Sequence, residues 1–101
     1  MIYFLQLIKI LNKSNVKTIE LVSQLPEITI RTNGFALGTI KKGFFKTKNG
    51  EIVKLILNSE NTPVLLLTKT NGNKIYYSAK GKTNKLIMDE MKKKFPSILF
   101  K

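Results

Sequence analysis

The sequence predicts a mainly β domain that closes on a single C-terminal helix, and three observations carry that prediction. Two Asn-Gly pairs, Asn49-Gly50 and Asn71-Gly72, each lie between strand-like runs. Two further runs, Val16–Val22 and Ile28–Thr32, alternate or nearly alternate apolar and polar residues. After Ala79 the period changes from that of a strand to that of a helix. A length of 101 residues suits one domain spanning 1–101, and 43% hydrophobic with 24% charged residues is the balance of a globular chain rather than a disordered one.

The elements follow in order. Met1–Leu11 is the most apolar stretch, broken only by Gln6 and Lys9, and is expected to pack as a strand, so that residues 1–18 supply an N-terminal strand or a truncated portion of the domain. A short interfacial helix or the stub of a membrane segment is the alternative, since a spanning helix needs about 20 residues. A break at Leu25-Pro26 separates the two alternating runs. Asn33-Gly34 is expected to turn the chain, with Arg31 paired to a carboxylate. Thr39–Lys48 and Glu51–Leu57 then form one hairpin, and Val64–Thr70 and Asn73–Ser78 a second. Asn and Gly both tolerate positive φ, as a type I′ turn requires at its two central positions. Asn58–Pro63 is a polar loop whose proline marks a strand entry.

The helix is expected over 83–95. Thr83 or Asn84 caps it, Leu86, Ile87, Met91 and Phe95 recur at helical spacing, and Phe95-Pro96 ends it. Asp89-Glu90 before Lys92–Lys94 complements the helix dipole. Many strands and one helix are best reconciled by a sheet curled into a sandwich or partly open barrel, with the helix against an open end or corner.

Arg31-Thr-Asn-Gly34, Gly38, Lys42-Gly-Phe-Phe45, Asn49-Gly50, Pro63–Leu67 and Tyr76-Tyr-Ser78, followed by a terminal helix, together resemble the bacterial pleckstrin-homology-like domains. The resemblance covers Ile19 to Phe95 and implies a strongly bent antiparallel β-barrel of six to seven strands capped by the C-terminal helix. It implies no particular ligand, because that fold scaffolds lipid binding, peptide binding and assembly alike. Membrane-spanning segments often precede the domain in that family, and Met1–Leu11 is too short for one.

Eighteen basic residues against six acidic ones give a net charge of +12, and all the basic residues but Arg31 are lysines. Lysine is a hydrated point charge without arginine's bidentate fork, so the excess reads as a diffuse field attractive to anions. Lys41, Lys42, Lys46, Lys48 and Lys54 form the densest basic set, on one hairpin. Lys42, Lys46 and Lys48 share strand parity with Ile40 and Phe44, so a mixed Phe–Lys face is expected to meet anionic headgroups. Lys80, Lys82 and Lys85 surround the helix entrance as a second anion site. Tyr76 and Tyr77 are expected on opposite faces, one in the core and one at the surface.

No histidine and no cysteine occur, which removes His-based triads, thiolate chemistry and His- or Cys-ligated metal. Neighbouring helix residues such as Asp89 and Glu90 do not converge on a substrate, so no catalytic residue, metal or cofactor is expected. The expected role is a non-enzymatic binding or assembly module, in the cytoplasm or peripheral at the inner membrane surface. Its partners are expected to be another protein or a second copy through an exposed strand, or anionic lipid headgroups. The alternative is a nucleic-acid-binding β-barrel using an exposed tyrosine among lysines.

Overall fold

The computed structural model describes residues 2–13, 15–37, 40–59, 63–79 and 83–101. Helix α1 (Ile2–Lys13) is followed by strands β1 (Val16–Val22), β2 (Ile28–Leu37), β3 (Ile40–Thr47), β4 (Ile52–Leu57), β5 (Val64–Lys69) and β6 (Lys74–Ser78), then helix α2 (Asn84–Lys94) and a short β7 (Leu99–Phe100). The strands form one seven-stranded sheet in the order β2-β3-β4-β6-β5-β1-β7. The chain is therefore mainly β with a C-terminal helix, as its sequence predicts.

Both expected hairpins form, β3 with β4 and β5 with β6, antiparallel and in continuous register. Their turns differ from expectation. Only Gly50 (φ 89°) and Gly72 (φ 91°) have positive φ at these turns, and no described non-glycine residue does. Gly50 N–H donates to Thr47 C=O at 2.9 Å and Thr47 N–H to Glu51 C=O at 2.8 Å, a pattern repeated from Gly72 to Lys69 and from Lys69 to Asn73. A turn followed by a left-handed glycine places one residue, not two, at positive φ, so asparagine keeps ordinary backbone geometry. Asn71 instead accepts from Asn73 N–H through Oδ1 at 2.9 Å.

Three larger corrections concern tertiary structure. The first run is a helix, not a strand. Gln6, Lys9 and Asn12 recur every third residue and make a polar stripe, while Leu7 and Leu11, one turn apart, are buried in the core. Second, the sheet is mixed and open rather than an antiparallel barrel. β4 pairs β6 in parallel and β1 pairs β7 in parallel, and β2 and β7 are the edges. Third, Asn33 and Gly34 do not turn the chain but lie within β2, opposite Phe44 and Gly43, just past an irregularity between Arg31 and Asn33. The ion pair expected of Arg31 involves a side chain outside the described set.

The parallel β4·β6 pairing arises because β6 returns between β4 and β5. The chain leaving β4 therefore passes the end of β6, and a polar clamp holds it there. Asn58 donates to Ser78 C=O from its backbone (3.1 Å) and side chain (3.0 Å), while the buried Ser78 hydroxyl donates to Ser59 C=O at 2.8 Å. Asn84 ties the same region to α2. Its buried amide accepts from Ala79 N–H at 3.1 Å and donates to Pro63 C=O at 2.8 Å. The cap itself is Thr83, whose hydroxyl accepts from Leu86 N–H at 3.4 Å.

Core residues divide by sheet face. Leu65, Leu67, Ile75, Tyr77 and Ile56 pack with Leu7 and Leu11 of α1 and with Ile87, Met88 and Met91 of α2; we call this the helix face. Leu86, expected in the apolar stripe, is exposed. The opposite, inner face buries Phe45, Val53, Leu55, Leu57, Leu66 and Tyr76, with Val22, Leu25 and Ile28 packed against them. Tyr76 and Tyr77 do alternate between faces, but both are buried because both faces are covered at β6.

Replacing Asn84 by alanine leaves an amide and a carbonyl without their partner. Chemical denaturation of Asn84→Ala is expected to show a loss of about 1–3 kcal/mol. Burial pushes the Tyr77 phenol from its ordinary 10.0 up to about 12. The folded state thus holds this proton more tightly than the unfolded chain. Its contribution, roughly 2–3 kcal/mol, is complete below pH 10 and lost as pH rises toward 12. Phenolate absorbance should show one tyrosine ionising only with unfolding, and Tyr77→Phe should remove that step.

Candidate functional site

The helix face is covered only in part. Registers place Lys42, Phe44 and Lys46 of β3 beside Ile56, Lys54 and Ile52 of β4, so all six lie on the helix face. Ile56 is buried near the helices, whereas Phe44 is 42% and Ile52 48% exposed. The Lys54 ammonium stands 5.7 Å from the centroid of the Phe44 ring, within cation–π range. This is the mixed Phe–Lys face that strand parity predicts, completed by two residues from the partner strand.

Two members of the predicted set leave it. Lys41 pairs with Leu57 and so belongs to the inner face. Lys48 lies beyond the strand end, in the turn, where its N–H donates to Glu27 C=O at 2.8 Å and its ammonium is 3.7 Å from the Glu27 carboxylate. Both side chains of that pair are largely exposed, so the backbone bond contributes more to its position than the ion pair does. Of the second predicted site only Lys85 lies among the described residues. Lys85 is exposed in the first turn of α2, and Lys80 and Lys82 lie outside the described residues.

Sequence reasoning missed Lys69 and Lys74. A cleft of about 330 Å³ runs from Phe44, Ile52 and Lys54 across to Lys69, Lys74 and Ile75. It spans β3 to β5 only because β4 and β6 are neighbours, and that parallel pairing has no local sequence signal. Among the described residues no carboxylate lines the cleft. Glu51 reaches Lys74 from outside it, at 3.4 Å. Among the described residues the ion pairs are Lys48–Glu27 and Lys74–Glu51, so Lys42, Lys46, Lys54 and Lys69 have no carboxylate partner there.

The acids lie elsewhere. Glu27 and Glu51 line a second cavity of about 400 Å³, beside Tyr76, Lys48 and Lys74. Desolvation raises the Tyr76 phenol above its ordinary value, and Glu51 and Glu20 reinforce the rise against Lys74. Asp89 and Glu90 are exposed on α2. The described carboxylates are thus divided: Glu27 and Glu51 sit at the mouth of the inner face and Asp89 and Glu90 on the helix that packs against the other, and among the described residues none pairs with Lys42, Lys46, Lys54 or Lys69.

A nucleic-acid reading that stacks bases on Tyr76 or Tyr77 lacks its platform, since both rings are buried. Among the described residues no group of His, Cys, Asp and Glu side chains could hold a metal ion, and no helix is long and apolar enough to cross a membrane. No protein-family model, curated protein or solved structure matches the chain.

The face assignment separates two adjacent phenylalanines. Phe45 is buried on the inner face and Phe44 exposed on the helix face. In thermal or urea unfolding, Phe45→Ala should cost about 3–5 kcal/mol and Phe44→Ala about 0.5 kcal/mol.

Proposed function

We propose that this chain is a non-catalytic binding module that docks the uncovered part of its helix face on an anionic membrane surface. The observation that carries the reading is one juxtaposition: Phe44 and Ile52 exposed among Lys42, Lys46, Lys54 and Lys69, with no carboxylate partner for these lysines among the described residues. An exposed ring inserts among headgroups while the amines reach phosphates. Each lysine contributes about 1 kcal/mol near an anionic leaflet, so four give weak, reversible and salt-sensitive attachment. The module would act at the inner face of the membrane, as a peripheral protein.

A pleckstrin-homology-like family membership belongs to the same proposal. Six strands followed by a C-terminal helix support it, while a seventh strand after that helix, two parallel pairings and open edges depart from a closed antiparallel barrel. The docking reading rests on the face and stands without the family.

Co-sedimentation with anionic vesicles at near-physiological salt is expected to retain the protein, and neutral vesicles to release it. The triple variant Lys42→Gln/Lys46→Gln/Lys54→Gln should lose about 3 kcal/mol, a little over 100-fold in partitioning. A control with equal loss of charge, Lys41→Gln/Lys48→Gln/Lys101→Gln, should bind nearly as the native chain does. Equal losses in the two variants, or release by single-stranded oligonucleotide as readily as by salt, would reduce the attraction to a generic field and overturn the proposal.

A further inference from the structure

Lysine is distributed unevenly over the sheet. β1, β3, β4, β5 and β6 each carry at least one, whereas β2, ten residues long, carries none and has Arg31 as its one charge. β2 is also an edge of the sheet. About half of the N–H and C=O groups of an edge strand point away from its neighbour, a template for another strand. Natural sheets commonly place lysine or proline at such an edge to keep other chains off. Here a chain rich in lysine leaves both out of its longest strand. The irregularities in the β2–β3 ladder fall before Asn33, and Asn33–Leu37 then runs in continuous register against Phe44–Ile40.

We infer that β2 pairs antiparallel with β2 of a second copy of this chain, through the regular stretch Asn33–Leu37. A two-fold axis makes such an edge self-complementary, each strand supplying the donors and acceptors that the other lacks. A second copy carries the same +12 charge, so two chains approach best along the strand that adds no lysine. The other edge, β7, is only two residues long and offers far less backbone.

The pairing has a geometric consequence. An antiparallel union of β2 with its own copy places the two-fold axis perpendicular to the sheet, so the two helix faces lie on the same side. Three strand spacings then separate the two β3 strands, about 14 Å. The two Phe44–lysine faces sit side by side and engage one surface together, which multiplies weak attachment without a new contact. This consequence rests on the docking proposed above; the pairing does not.

Sedimentation equilibrium of the full chain tests the pairing directly. The expected species has twice the 11.5 kDa mass of one chain, and its fraction rises with salt as screening relieves repulsion between the copies. Membrane docking moves the opposite way with salt, so the two readings separate. Hydrogen exchange should slow with protein concentration at the amides of 33–37, and Ala36→Lys should return the chain to monomer with its circular dichroism unchanged. Should that variant not fold, exchange in the native chain decides alone. A monomer at every salt and concentration, or a dimer whose protection lies outside β2, would overturn the inference. A dimer that ignores anionic vesicles supports the pairing and removes the docking; a monomer that binds them does the reverse.

Discussion

The connection from β1 to β2 constrains the rest of this molecule. These strands are consecutive in the chain, yet four others lie between them in the sheet. Across a flat sheet the separation is five strand spacings, about 24 Å. Val22 to Ile28 is six residue steps, spanning about 20–22 Å when fully extended. The connection fits only if the sheet curls toward the inner face and shortens the path. That curl explains why Phe45, Val53, Leu55, Leu57 and Leu66 are buried with no helix residue in their cluster, and why Leu25 and Ile28 pack against them. It also brings Glu27 to Lys48 across the mouth of the inner face, beside Glu51.

The outer, convex side has the opposite problem. Curling spreads that face, and its cover is two helices of 12 and 11 residues. Laid along the strands, two helices shield about 20 Å of a sheet about 29 Å wide. They are seated over β1, β5 and β6, where their buried leucines, isoleucine and methionines meet Ile19, Leu65, Leu67 and Tyr77. The β3–β4 end remains uncovered, and the residues there are phenylalanine, isoleucine and lysine. An apolar patch interleaved with lysine stays hydrated when free and complements an anionic surface when bound. The shape of the fold and the candidate site thus share one origin, a sheet wider than its cover.

How much of this was legible in the sequence depended on how local each signal was. The two hairpins and α2 were readable because Asn-Gly turns, the Thr83 cap and the Phe95-Pro96 stop act within a few residues. The first helix was not, because its apolar run hid a polar stripe at 6, 9 and 12. Asn33-Gly34 is the same dipeptide as in the hairpin turns, but tertiary pairing draws it into a strand. The parallel pairings and β7 depend on residues far apart in the chain, and no pattern announced them. Within the site, strand parity correctly grouped Lys42, Phe44 and Lys46. It could not add Lys69 and Lys74, or remove Lys48, because those placements depend on which strands meet and where a ladder stops.

The central claim is that the Phe44 face meets the membrane, and the chain contains no tryptophan to obscure a reporter placed there. The most direct measurement is the fluorescence of Phe44→Trp titrated with anionic vesicles carrying quencher in the acyl region. The account predicts a blue shift and quenching with anionic vesicles, and neither with neutral ones. Retention of the protein on anionic vesicles with the emission of Phe44→Trp unchanged would mean that another surface binds, and would contradict it.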